Sequence, residues 1–279
     1  MTGFLARFAK HPGGVVGLAL LALILCVALA ANLLYPASPW QMQGDPLLGV
    51  MEDRAFPLGT DMLGRDIAAG LAYGARVSLL VGVVSTLFAV LVGVTFGALA
   101  GYFGGWVDDV LMRVTEFFQT IPQLAMAIVL VAIFTPSLPS IVLAIALVSW
   151  PPVARLVRAE VLSLREREFV EAAVVLGRPT SKILLDEILP NAMPPVIVTA
   201  SLMVATAILT EAALSFLGLG DKNYMSWGFM VGAARTMLRE APMLTVFPGV
   251  AILVTVLAVN LVGEALNDAF NPRLRERGR

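Results

Sequence analysis

The chain has 279 residues, of which 58% are hydrophobic and 14% charged, and its mean hydropathy is +0.86; a water-soluble domain is nearer half apolar and a quarter charged, so a bilayer is the expected solvent. A net charge of -1 supplies no basic excess to neutralise phosphates, which argues against a nucleic-acid binder. The single Cys26 allows no disulfide framework within the chain, and the single His11 cannot found a zinc-type site.

Membrane spans are read from the gaps between charged residues, since a helix of about 20 apolar residues crosses the roughly 30 Å hydrocarbon layer. Residues 2 to 11 read as a short amphipathic prelude at the inner surface. No Asp, Glu, Lys or Arg lies between Lys10 and Asp45, and residues 13 to 34 form the first expected span. Arg7 and Lys10 precede it as in a signal peptide. Its 22 residues and the lack of a clear small-x-small cleavage site point instead to a retained helix.

Residues 35 to 70 form the longest loop, with five acids and two bases. Their proline and glycine content suggests a folded cap or a docking surface. A 31-residue gap from 77 to 107 follows, giving a second span over 76–101. Gly93, Gly97 and Gly101 recur every four residues along it, a spacing that lets helices approach closely. They would pack either within one subunit or along the seam of a dimer.

The 38-residue gap from 117 to 154 is split by Thr135-Pro136-Ser137-Leu138-Pro139-Ser140, which suits a turn. Spans three and four are therefore expected over 112–134 and 139–158. Glu116, Gln119 and Pro122 fall early in span three. Two gaps of 23 residues place span five over 191–215 and span six over 243–265. Glu211 lies near the end of span five, and Asn260 and Glu264 lie in span six. Polar groups at such depth face protein or water, so they are candidates for a substrate path or for structural pairing. Residues 219 to 242 join the last two spans and are long enough to reach a pore mouth. A basic tail, Arg273 to Arg279, suits anionic lipid headgroups.

These runs show no period-two alternation, and only helices or closed barrels satisfy their backbone in lipid. The expected fold is all-α: a polytopic membrane protein with six transmembrane helices. With the N-terminus inside, the inner segments hold 13 of the 19 Lys and Arg residues and the outer segments 6. That bias favours both termini in the cytoplasm.

One cytoplasmic stretch departs from the apolar pattern: EFVEAAVVLGRPTSKILLDEILPN, residues 168 to 191. Residues 155 to 190 carry 12 of the 39 formal charges. We read a short helix, a turn at Gly177-Arg178-Pro179, and a second short helix ending before Pro190. Glycine suits the turn because it accepts positive φ. The Ala172-Ala173 pair leaves a shallow spot for close approach. A solvated amphipathic connector is the plain alternative. Its length exceeds what a tight turn needs.

The spacing Glu171-Ala172-Ala173, three residues, Gly177, nine residues, then a close at Leu189-Pro190 resembles the EAA coupling loop of ABC importer permeases. The resemblance extends over about 220 residues. Leu58-Gly59-Thr60-Asp61, Gly101-Tyr102-Phe103-Gly104-Gly105, Ala154-Arg155-Leu156-Val157-Arg158, Leu214-Ser215-Phe216-Leu217-Gly218-Leu219-Gly220, Ser226-Trp227-Gly228, Phe247-Pro248-Gly249 and Asn271-Pro272-Arg273 are similar to the dipeptide, oligopeptide and nickel group, most of all to its C-type subunit. The chain departs from that group at Glu187 for a usual histidine, Glu264 for aspartate, Asn267 for arginine and Asn271 for aspartate.

The resemblance implies a type I (MetI-like) importer-permease fold in a bacterial inner membrane. It implies an N-terminal unit over 1–70, a permease core over 71–270 carrying the coupling loop at about 165–190, and the tail 271–279. Its implied partners are cytoplasmic ATP-binding subunits, an extracytoplasmic substrate-binding protein and a second, different permease chain. It implies no cofactor and no catalytic or metal site. Di- and oligopeptides are the expected cargo, with nickel or another small solute as the alternative. The sequence adds one independent point: of three lysines, Lys10, Lys182 and Lys222, none follows a glycine, so no phosphate loop is present. ATP hydrolysis would have to come from a partner. An ion-coupled secondary transporter would need embedded acids or paired broken helices and gives no reason for the segment from Glu171 to Pro190. An intramembrane enzyme would need a catalytic dyad at depth, which His11 cannot supply.

Overall fold

The protein is described by a computed structural model covering residues 7–270, and these residues are helical apart from loops and two isolated bridges. Nine helices matter for the argument: α1 (Pro12–Leu34), α2 (Ile67–Phe103), α3 (Gly105–Thr120), α4 (Gln123–Phe134), α5 (Leu138–Arg165), α6 (Glu168–Val175), α7 (Thr180–Leu219), α8 (Trp227–Ala234) and α9 (Met243–Phe270). Five are long and apolar enough to cross a bilayer alone, and α3 with α4 makes a sixth, bent crossing.

That sixth crossing corrects the expectation of one continuous helix over 112–134. Its two halves meet at 89°. The cause is Pro122: it offers no amide, and its ring forces Ile121 out of the helical region to φ -99°, ψ 133°. α1 matches its expected span to within a residue, whereas α2, α5, α7 and α9 overrun theirs by a turn or more, because charged residues at their ends continue the helix into water. Each start carries its own signal. His11 Nδ1 accepts from the Gly14 amide at 3.0 Å, and Pro12 fits the first turn of α1. Asp66 accepts from the Ala68 amide at 2.9 Å to open α2.

The helices alternate in direction. α2 and α5 run parallel at the centre, and the three small residues of α2 all face α5 of the same chain. A Cβ at Gly93 would lie 2.5 Å from Val153 Cβ, at Gly97 2.7 Å from Val157 Cβ, and at Gly101 2.8 Å from the Arg158 carbonyl oxygen. α7 runs antiparallel to α2, with Gly82 against Ile208. α1 lies against α9, where Gly17 meets Leu261 and His11 Nε2 lies 3.5 Å from Asp268. The bilayer-facing sides of α1, α2, α4 and α9 expose Leu23, Leu29, Leu87, Leu91, Ile133 and Leu253. In lipid such residues need no further cover.

The loop from 35 to 66 is ordered by its own polar groups. Thr60 Oγ1 accepts from the Leu48 amide at 3.0 Å and donates to the Asp45 carbonyl at 2.5 Å. Asp61 holds Arg65 at 2.6 Å. Arg76 closes the loop's base by donating to carbonyls of Ala28 and Leu29 and to Asn32 at the end of α1. The tail 271–279, including Asn271-Pro272-Arg273, lies outside the described residues, as do residues 1–6 of the amphipathic prelude.

Candidate functional site

The charged stretch 165–190 lies on the same side of the bundle as the start of α1 and the end of α9. α6 leaves the end of α5 after Glu166. Its buried face is Val170 and Ala173, packed with Ile183, Leu184 and Ile188 of α7 and Val157 and Val161 of α5. The opposite face is exposed and includes Glu168, Glu171 and Ala172. Ala172 and Ala173 thus part company: one faces solvent and the other the core.

The helix ends as its sequence dictates. Gly177 has φ +71°. Its amide donates to the Val174 carbonyl at 2.9 Å, and the Arg178 amide donates to the Ala173 carbonyl at 3.1 Å. These are the paired bonds of a Schellman stop, with Pro179 following to prevent continuation. A Cβ at Gly177 would meet no atom within 4 Å. The glycine is therefore required here by backbone conformation and not by crowding within the chain.

Beyond Pro179 the structure corrects the expectation of a second short helix ending before Pro190. The helix begun at Thr180 runs on through Pro190 into span five. It does so through a wide, π-helical segment, Ile183–Ile188. The wider turn and the first-turn position of Pro190 in the next stretch, Leu189–Leu214, accommodate a residue with no amide to donate. Leu189 is half-buried against the α5–α6 core, and Pro190 is exposed. The loop is consequently not hinged to the membrane. It is a short helix joined through one fixed turn to a continuous span.

Arg178 braces that turn. Its guanidinium donates to Glu187 through Nη1 and to Asp186 through Nη2, the latter at 2.9 Å. Glu187, the departure from the usual histidine, is thus the partner of an arginine nine positions earlier. Sequence reasoning flagged Glu187 but did not pair it, because the pairing depends on the wide turn that brings 186 and 187 back over 178.

The tip of this braced element is apolar. Val175 is 86% exposed and Leu176 80%, with Val174 and Phe169 exposed beside them. Lipid does not explain this face, because Glu168, Glu171 and Arg178 surround it. A contiguous apolar patch rimmed by charge marks a contact surface. Among the described residues no three His, Cys, Asp or Glu side chains gather into a metal site.

The other candidates separate. Glu116, Gln119, Asn260 and Glu264 are exposed. Asp108 forms a two-pronged pair with Arg158 at 2.5 Å, joining α3 to α5 near the turn at Gly104–Gly105. Glu211 is buried inside the bundle among Ser78, Ser215 and Ser226, the structural-pairing alternative of its sequence reading.

Two family profiles match the chain. One, described as the inner membrane component of binding-protein-dependent transport systems, covers residues 93–276. The other, the N-terminal transmembrane domain of oligopeptide transport permease C, covers residues 2–48. The chain is 40% identical to the dipeptide transport system permease protein DppC of Alkalihalophilus pseudofirmus, over 96% of its own length and 88% of the relative's. It is 37% identical to the oligopeptide transport system permease protein OppC of Bacillus subtilis, over 97% and 88%. It is also 37% identical to the glutathione transport system permease protein GsiD of Pectobacterium atrosepticum, over 98% and 91%. Among solved structures, the inward-facing MetNI methionine ABC transporter matches with a TM-score of 0.59 at 17% identity, covering 72% of this chain and 97% of that one. That likeness speaks to the fold.

Proposed function

The chain belongs to the binding-protein-dependent transport system inner membrane component family, as an ABC importer permease, and from that premise we propose that it serves a peptide importer in which α6 and its turn receive the motion of an ATP-binding subunit. Membership implies ATP-binding and substrate-binding partners. The apolar tip at Val175 and Leu176, held out on a braced helix among charges, is the observation that supports α6 as the contact. Glu171, Ala172, Ala173, Gly177, Leu189 and Pro190 build the element: the first two face outward, Ala173 and Leu189 pack inward, Gly177 ends the helix and Pro190 opens the span. Hydrolysis takes place on the partner, and this chain does no covalent chemistry.

The remaining parts of the reading follow from charge and exposure. Both termini, the turn at Gly104–Gly105 and α6 face the cytoplasm, and the loops 35–66 and 220–242 face outward. Residues 1–70 form a peripheral unit, 71–270 the conducting core and 271–279 a lipid-facing basic tail. A second, different permease chain completes the pathway, and the remaining apolar belt meets lipid. Peptide is the cargo because the relatives' names specify dipeptide, oligopeptide and glutathione. Uptake of labelled dipeptide, tripeptide and nickel by the native host, with and without this chain, tests the reading. Loss of peptide uptake alone supports it. Loss of nickel uptake with peptide uptake intact would replace the cargo while leaving the importer class standing.

A further inference from the structure

We propose that Glu211 is a positioning residue of the outer mouth: its buried carboxylate holds the segment 220–234 folded back against α7 and so fixes the wall past which cargo enters. The inference rests on the orientation proposed above.

Glu211 is 2% exposed, and among the described residues it makes no salt bridge. Its oxygens are satisfied by hydroxyls alone. Ser215 Oγ and Ser226 Oγ each donate to Oε1 at 2.7 Å, and Ser78 Oγ approaches Oε2 at 3.4 Å. Two of these hydroxyls also accept from the start of α8: Ser226 Oγ from the Phe229 amide at 3.0 Å, and Ser78 Oγ from the Trp227 amide at 3.3 Å. The serines thus relay the free amides of a helix N-terminus onto a carboxylate. The partial positive charge of that terminus offsets part of the cost of burying a negative group.

The geometry shows what is being held. The last turn of α7 breaks at Gly218, whose φ is +86°, and Gly220 already lies back beside Ser215, where a Cβ would sit 2.7 Å from its Oγ. The chain turns back at that point, and Ser226 meets the carboxylate on the way. α8 then climbs outward beside α7, as its glycines record. A Cβ at Gly228 would lie 2.5 Å from Ala212 Cα, and one at Gly232 would lie 3.0 Å from the Ser215 carbonyl oxygen. Asp221 ties the start of the returning loop to α5 by accepting from the Leu138 amide at 2.8 Å. Trp227 Nε1 ties its end to α2 through the Leu71 carbonyl at 3.0 Å. The rest of α8 is packed: Met230 and Ala234 lie with Ile67 and Leu244, and Met230 and Val231 with Ile252. At one edge Phe229, Gly232 and Ala233 face a cavity of about 320 Å³ shared with the end of α7, where Ser215, Phe216, Lys222 and Arg235 also line it. α8 is therefore one wall of that cavity, fixed at its start by the Glu211 cluster.

The test uses the assembled transporter with Cys26→Ser and a single cysteine placed at Ala233, on the wall. Its labelling rate by a membrane-impermeant thiol reagent is read in right-side-out vesicles, alongside peptide uptake. A control cysteine at Ser163, exposed on the inner side, is read in inside-out vesicles. Glu211→Ala is expected to change the Ala233→Cys labelling rate at least tenfold and to lower uptake, with the Ser163→Cys rate unchanged. Ser226→Ala should move labelling in the same direction by about threefold. Glu211→Gln keeps a carbonyl acceptor for both serines and should restore labelling to within about threefold of the starting protein. An unchanged Ala233→Cys rate in Glu211→Ala would overturn the proposal. So would equal changes at both cysteines, or a Gln variant as impaired as the Ala variant. Labelling of Ala233→Cys only from the inner side would refute the orientation instead.

Discussion

Replacing Gly177 separates the energetics of this chain from those of a partner. Its φ of +71° costs an L-residue about 1–2 kcal/mol. Because a Cβ there meets nothing within 4 Å, a larger side chain adds no clash inside the protein. Gly177→Ala and Gly177→Trp should therefore lower the unfolding midpoint in detergent by the same few degrees. Gly177→Asn should lower it less, since asparagine tolerates the left-handed region. Uptake should behave differently. If the tip seats in a groove on an ATP-binding subunit, the indole occupies space the groove needs, and uptake by the tryptophan variant should fall at least tenfold below that of the alanine variant, equivalent to about 1.4 kcal/mol. Equal uptake by the two variants, at equal protein levels in the membrane, would refute the reasoning: the space around Gly177 would then be open in the working complex as well.

Arg178→Ala should cost no more than about 1 kcal/mol of stability, because the paired groups are partly exposed, yet it should reduce uptake per ATP hydrolysed. The exchange Arg178→Glu with Glu187→Arg should recover part of that loss, whereas Arg178→Glu alone should not. Gly97→Val should destabilise by roughly 1–3 kcal/mol or more through overpacking against α5, read as a lower thermal midpoint. Gly249→Ala, where a Cβ meets nothing, should stabilise α9 by up to about 1 kcal/mol. Burial raises the Asp66 carboxyl above its ordinary value, and the amides it caps only partly oppose this. A raised folded pKa contributes stability that is complete below the unfolded value and lost as pH rises through the folded one. Asp66→Asn should therefore match the wild type in acid and exceed it at neutral pH, whereas Asp66→Ala, which loses the cap, should lie about 1 kcal/mol lower.

How much of this was legible in the sequence differs from element to element. Span number and order followed from charge gaps, because lipid excludes uncompensated charge from long apolar helices. The turn at Gly177 followed from glycine before Arg178-Pro179. The break at Pro122 did not, since the prolines of α5, α7 and α9 look similar in sequence yet their helices run on. What distinguishes Pro122 is that Ile121 is extended before it. The continuity through Pro190 was also hidden: it depends on a widened turn that composition does not signal. Glu211 read as either a substrate-path residue or a structural pair, because an acid near a span end has several uses. Its three serine partners lie 4, 15 and 133 positions away, and only the folded-back loop assembles them.

The central claim is that the tip of α6 contacts an ATP-binding subunit. A photo-crosslinking amino acid at Leu176, in the otherwise intact transporter of the native host, tests it directly once the attached peptide is sequenced. The expected result is one dominant adduct on a protein that carries a Gly-Lys-Ser/Thr phosphate loop, weakened by Gly177→Trp. Attachment only to lipid or to this chain itself would contradict the claim.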